Sequence, residues 1–164
     1  MSVPDGYALV LAKLPTLEVS FDVGGLELFP GPSLDDAQVG YSRTSDGKSL
    51  VGHDGGAWKA NWMAIGRETC CGDPIFVDVE DTRLPVFTAV HGDGSWNPRQ
   101  IAISIEAFAG CFQEFWHIAK SRANPVEIQA HPVEDAERAA FLSRIEQLNE
   151  GSTGQDFWEL MVSS

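Results

Sequence analysis

The stretch GDPIFVDVEDTRLPVFTAVHG, residues 72–92, decides the fold that the sequence predicts. Within PIFVDVE every odd-numbered position is apolar, whereas Asp78 and Glu80 share the other face with Phe76. In the second half, LPVFTAVHG, Val86, Thr88 and Val90 alternate with Phe87, Ala89 and His91. Alternation with a period of two indicates a half-buried β-strand. Because the link between the two strands is short, we expect them to pair as an antiparallel hairpin.

Upstream of this hairpin the sequence predicts another strand and several turns. WMAIG, residues 62–66, is typical of a buried strand. The dipeptide Asp46-Gly47 favours a hairpin turn, and Ser33 is expected to be the N-cap of a short helix. This half of the chain is therefore predicted to supply strands and turns.

Downstream the apolar period changes to that of a helix. Ser104 is expected to cap a helix that ends before Asn124-Pro125, and its apolar positions predict a buried face. They are Ile105, Phe108, Phe112, Phe115, Trp116 and Ala119. A further helix is expected after Pro132, and FWELMV, residues 157–162, is a last apolar segment. Strands followed by helices predict one α+β domain over residues 1–164, an antiparallel β-sheet with helices packed on it.

The charge of the chain is strongly acidic. Its 164 residues carry 24 Asp and Glu against 11 Lys and Arg, a formal net charge of −13. Such a field repels nucleic acid and attracts a basic partner, although solubility alone also favours an acidic surface. No apolar run approaches the length that a bilayer requires, so we expect no membrane interaction.

The three cysteines are Cys70, Cys71 and Cys111. An odd number that includes an adjacent pair does not form a disulfide framework. Adjacent thiols also lack the spacing of a zinc knuckle. We therefore expect three buried, reduced thiols and a cytoplasmic protein.

Catalytic motifs are weak or missing in the sequence. DGKS, residues 46–49, lacks the upstream glycine of a phosphate-binding loop, and there is no Gly-x-Ser-x-Gly motif. A cysteine of the adjacent pair could act with His91, but the sequence supplies no third group to orient the histidine.

A metal site is the better chemical hypothesis. His53, Asp54, His91 and Asp93 lie in glycine-rich loops, and two histidines with two carboxylates can bind a divalent ion. Glycine-flanked aspartate is, however, also what any tight turn favours. Trp96 follows such a turn and either caps the sheet or projects as an interface anchor.

Four segments in this order resemble the SUKH superfamily, which includes the fungal Smi/Knr-type cell-wall regulators and many bacterial proteins. They are W-x-x-IG (62–66), CGDPIFVD (71–78), PVFTAVHGDGSW (85–96) and IAISIEAF (101–108). The likeness is best over residues 62–115, with C-terminal helices expected at 133–162. Upstream, Leu14-Pro15 and Gly24-Gly25 are similar to the marks that flank the family's opening helix. Their close spacing predicts that this helix is shortened or lost.

The resemblance implies an α+β fold without enzymatic activity, and bacterial members typically act as immunity proteins that neutralise toxins, often nucleases. We therefore expect a cytosolic protein that binds a basic toxin, with no cofactor, catalytic residue or metal ligand. Asp54, Asp73, Asp93 and Trp96 are the predicted binding residues, because they meet at the open end of the hairpin. The alternatives are a regulatory or scaffold module of the Smi/Knr type, and an enzyme or metal protein that uses the histidine and aspartate loops.

Overall fold

Six antiparallel strands form one sheet, in which the spatial order of the strands is their order along the chain. The computed structural model describes residues 4–92 and 94–163. The strands are β1 (Glu18–Phe21), β2 (Gly24–Leu28), β3 (Trp62–Glu68), β4 (Pro74–Asp78), β5 (Val86–Thr88) and β6 (Arg99–Ala102). Ile75 pairs with Thr88 and Val77 with Val86, so the predicted β4–β5 hairpin is confirmed.

The described residues also form five α-helices, which confirms the predicted α+β class. They are α1 (Asp5–Leu11), α2 (Ile105–Ala119), α3 (Pro125–Ala130), α4 (Asp135–Leu148) and α5 (Gln155–Met161). None of these helices has the length and apolar character needed to span a bilayer.

Helix α2 is the centre of the main core. The Ser104 Oγ accepts a hydrogen bond from the Ala107 amide, so the predicted N-cap is confirmed. Phe108, Phe112 and Phe115 are completely buried, whereas Trp116 is only partly buried. Since α2 contacts both β1 and β6, the two edge strands of the sheet curve toward the same helix.

A short opening helix, α1, is present where the sequence predicted one that was shortened or lost. Tyr7 fixes it to the sheet, because its buried hydroxyl lies 2.7 Å from the Phe29 carbonyl and 2.9 Å from the Ile65 carbonyl. The single hydroxyl proton is shared between these two oxygens, and burial raises the pKa of the hydroxyl. The first helix is therefore seven residues long and anchored by one aromatic side chain.

The second face of the sheet is also covered, so the prediction of a half-buried β4 strand is wrong. Phe76 is fully buried in a second core beside Trp58, Ala64 and Ala89. The chain between β2 and β3 supplies this cover and contains two 3-10 turns, Gly31–Ser33 and Asp36–Gln38, in place of the helix predicted from Ser33. Phe76 is apolar because it faces this second core. The polar side chain of β4, Asp78, lies at the end of the strand.

Gln38 attaches that covering segment to the sheet. It is 1% exposed, and its amide nitrogen donates to the carbonyls of Leu34 (2.8 Å) and Ala64 (2.9 Å). Its amide oxygen accepts from the Ala64 N–H at 3.0 Å. The side chain thus bonds the β3 backbone as a neighbouring strand would, at the position where a bulge shifts the β3–β4 register.

Helix α3 was not predicted. Asn124 is its N-cap, with its side-chain oxygen accepting from the amides of Val126 and Glu127. The preceding Arg122 donates to both carboxylate oxygens of Glu137 at 2.8 Å and to the carbonyls of Ile118 and His131. This arginine joins the end of α2 to the start of α4.

The corner between α4 and α5 covers the outer edge of β6. The Trp158 indole donates to the Ile101 carbonyl at 3.0 Å, and the Ile103 amide donates to the side-chain oxygen of Asn149 at 3.0 Å. Gly154 has φ of 76°, and a Cβ there would stand 2.2 Å from the Ile101 oxygen. Only glycine lets the corner approach the strand this closely.

Candidate functional site

The predicted site lies at the open end of the β4–β5 hairpin, where β4 begins and β5 has ended. Asp73 is the residue that joins the two sides of this end. Its carboxylate accepts a hydrogen bond from the His91 amide at 2.8 Å, which ties the β3–β4 loop to the segment that follows β5. The prediction that Asp73 and the His91 region are neighbours agrees with this contact.

Trp96 is folded onto the second core. Its amide donates to the Gly56 carbonyl at 2.6 Å, and its ring centroid lies 5.3 Å from that of Trp58 and 5.8 Å from that of Tyr41. Since the side chain is only partly exposed and packs on two aromatic rings, it caps the sheet, the first of the two roles considered for it.

The loop that contains Asp54 reaches the same end of the sheet through Gly56. Gly56 has φ of 89°, and a Cβ there would lie 2.6 Å from the Ser95 Cβ. The Asp54 side chain is exposed, while its carbonyl accepts from the Lys59 ammonium at 2.6 Å. Two separate attachments, at Gly56 and at Asp73, therefore build the open end, and Asp93 lies outside the described residues.

The electrostatics of this end centre on Tyr41. Burial raises the pKa of its hydroxyl, the Arg67 guanidinium opposes that rise, and the Asp73 carboxylate adds to it. Arg67 in turn forms a 2.7 Å ion pair with Glu27 on the neighbouring strand. Asp73, one of the predicted binding residues, therefore belongs to a group of positive and negative charges beside the second core.

The histidine and aspartate loops do not assemble into a metal site within the part of the chain that the structure describes. In residues 4–92 and 94–163, no three His, Cys, Asp or Glu side chains are grouped as metal ligands would be. His53, Asp54 and His91 are exposed. The fourth member of that hypothesis, Asp93, is not among the described residues.

A groove of about 340 Å³ opens on the helix side of the same end and was not predicted. The β1–β2 turn, the β3–β4 loop and helix α5 form its walls. We call it the open-end groove, and the residues that line it include Phe21, Asp22, Val23, Glu68, Cys70, Cys71, Asp73, Thr88, Arg99, Phe157, Leu160 and Met161. Asp73 belongs to both the groove and the predicted site.

The lining of the groove contains both apolar and charged side chains. Val23 and Leu160 are 74% and 66% exposed, which is unusual for large apolar side chains that line a cavity. Asp22, Glu68 and Asp73 contribute three carboxylates to the lining, against the single guanidinium of Arg99. The lining therefore combines exposed apolar side chains with a net negative charge.

The cysteine pair also lies at this groove, so the expectation of three buried thiols is wrong for two of them. Cys70 and Cys71 are exposed in the β3–β4 loop, and Cys111 is buried in the main core. All three are free thiols, and burial raises the pKa of Cys111 to about 12. The loop that follows the strand carries the pair outward, whereas Cys111 lies on the buried face of α2.

The chain has no significant match among protein-family models, curated proteins or solved structures. The likeness to the SUKH superfamily rests on the four sequence segments described above. The open-end groove itself brings together residues from positions 21 to 161, which no local pattern joins. The one local signal that could have pointed to it is the adjacent cysteine pair beside the Gly72-Asp73 turn, because turns carry their residues to the surface.

Proposed function

We propose that this chain is a protein-binding domain whose open-end groove receives an apolar side chain of a basic partner. The observation that carries the proposal is the apolar groove with three carboxylates and one guanidinium in its lining, on a chain of net charge −13. Charge of one sign around an apolar pocket steers an oppositely charged partner and then lets buried contacts hold it.

Neutralisation of a toxin is the specific form of binding that we propose. It is supported by the resemblance to a superfamily whose bacterial members act as immunity proteins, and by an acidic surface that suits a basic nuclease. In this role the chain masks the toxin surface and performs no chemistry of its own. A regulatory module would use the same groove for a housekeeping partner.

The test is direct binding to the product of a neighbouring gene, followed by salt titration. We expect a 1:1 complex by isothermal titration calorimetry with purified proteins. Its association rate should fall as salt rises, because charges are screened over about 10 Å at 0.1 M ionic strength. Co-expression should also protect cells from that gene product if it is a toxin.

The groove is tested with exposed apolar residues inside and outside its lining. The double variant Val23→Asp, Leu160→Asp places charge at the groove border, and Val126→Asp does so on α3, where the side chain is 75% exposed. We expect Kd to rise about tenfold or more for the groove variant and to stay unchanged for the α3 control. Equal binding by all three proteins would remove the groove from the proposal.

A further inference from the structure

The β3–β4 loop holds two adjacent thiols at the border of the open-end groove. Cys70 and Cys71 are both exposed, and both line the groove. The two carboxylate oxygens of Glu68 accept the amide N–H groups of Cys70 at 2.6 Å and Cys71 at 2.7 Å. Because one carboxylate fixes both amides, the pair is held in place before any ligand arrives.

The surroundings favour the protonated form of the Cys71 thiol. The hydrogen bond that the Cys71 thiol donates to the Cys70 sulfur raises the pKa of Cys71, and the charges of Glu68 and Asp73 add to that rise. A metal cation must displace thiol protons, so a raised pKa weakens its binding. In the described part of the chain, no third Cys, His, Asp or Glu is grouped with the pair as a metal ligand. The arrangement suits a ligand that two adjacent thiols satisfy and that takes up their protons as it binds.

We propose that Cys70 and Cys71 bind trivalent arsenic compounds that carry an apolar substituent, with the substituent placed in the open-end groove. In the reaction two As–S bonds form and two As–O bonds break. Each hydroxide leaves as water with the proton of one thiol, so no charge is created and no oxidant is needed. Phe21, Val23, Leu160 and Met161 supply the apolar contacts for the substituent. This inference does not depend on the proposed function.

The experiment uses phenylarsine oxide, which hydrates to the dihydroxy form, and inorganic arsenite as the probe without a substituent. Intact mass spectrometry of the reduced protein should show one phenylarsenic adduct that survives excess monothiol and is removed by a dithiol. The ratio of the affinity for the phenyl compound to the affinity for arsenite is measured for the protein and for a small free dithiol. The ratio should be larger for the protein by roughly tenfold or more, because the groove buries the phenyl ring.

Three variants locate the site. Cys70→Ser should lose the monothiol-resistant adduct, because one thiol cannot chelate, whereas Cys111→Ala should keep it. Leu160→Asp should abolish the preference for the phenyl compound and leave arsenite binding unchanged. Circular dichroism verifies that each variant is folded, and Cys71→Ser replaces Cys70→Ser if that protein unfolds. A resistant adduct in the folded serine variant, a phenyl preference that survives Leu160→Asp, or no phenyl preference in the wild type overturns the proposal.

Discussion

Replacing Gln38 with leucine tests how the second face of the sheet is covered. The side chain is fully enclosed and makes three hydrogen bonds, two of them to the Ala64 backbone. Leucine has a similar volume, but it leaves the buried Ala64 N–H without its partner and removes a donor from two carbonyls. An unsatisfied buried amide together with lost hydrogen bonds costs about 2–4 kcal/mol in free energy of unfolding.

Urea denaturation followed by tryptophan fluorescence measures this cost. For a chain of this size, the same loss corresponds to a fall in Tm of roughly 5–15 °C. The m value should not change, because the folded and unfolded states keep their surface areas. If the free energy of unfolding of the variant is within about 0.5 kcal/mol of the wild-type value, Gln38 does not attach the covering segment.

Gln38→Glu is the matched variant, because it keeps the shape of the side chain and replaces the amide with an ionisable carboxyl group. The carboxylate still accepts from Ala64 N–H but faces two carbonyl oxygens, so burial and repulsion raise its folded-state pKa above about 4.3. The folded state then binds the proton more tightly, and stability falls as pH rises through the folded pKa. Relative to wild type, the loss of unfolding free energy caused by Gln38→Glu should become smaller as the pH is lowered. The loss caused by Gln38→Leu should not change with pH.

Three further outcomes are expected. Under native conditions a bulky maleimide should label Cys70 and Cys71, and Cys111 should react only after unfolding; rapid labelling of all three, counted by mass spectrometry, would contradict its burial. Phe112→Ala should cost about 3–5 kcal/mol in chemical denaturation, because the ring is completely enclosed, and a loss below about 1 kcal/mol would mean that the phase of α2 is wrong. Arg122→Lys should lower Tm, since lysine cannot replace the two-oxygen contact with Glu137, and an unchanged melting curve would refute the role of this clamp.

Local patterns were enough to predict the β4–β5 hairpin and helix α2. Both depend on residues that are neighbours in sequence: the alternation around Ile75 and the helical spacing that follows Ser104. Helix α3 was missed for a related reason, because Asn124-Pro125 was interpreted only as the end of one helix. An asparagine before proline is also how a new helix begins, with the proline at its first position.

The covered second face could not be predicted, because it depends on contacts between distant segments. On the strand face that the sequence predicted to be exposed, Phe76 was the apolar exception beside Asp78 and Glu80. In the structure its ring packs against Trp58, a residue of the segment before β3. Gln38 gave no signal either, since a polar residue in a turn-rich segment is usually exposed. Its burial follows only from the Ala64 backbone groups that it satisfies.

Of the predicted site, the neighbourhood of Asp73 was foreseeable and the groove was not. The geometry of a hairpin places the start of one strand beside the end of the next, which brought Asp73 and His91 together. The groove needs α5 to lie beside the β1–β2 turn, and nothing in FWELMV specifies that neighbour. The role of Trp96 was open from the sequence and was decided by its contacts with Trp58 and Tyr41.

The cover on β6 has a consequence for synthesis on the ribosome. Each strand pairs with the strand that precedes it in the chain, so the sheet can grow strand by strand as the chain emerges. Asn149 and Trp158, which cover the free edge of β6, are translated about fifty residues after Ile101. During that interval the nascent sheet presents an unpaired edge, the kind of template on which partly synthesised chains associate with one another.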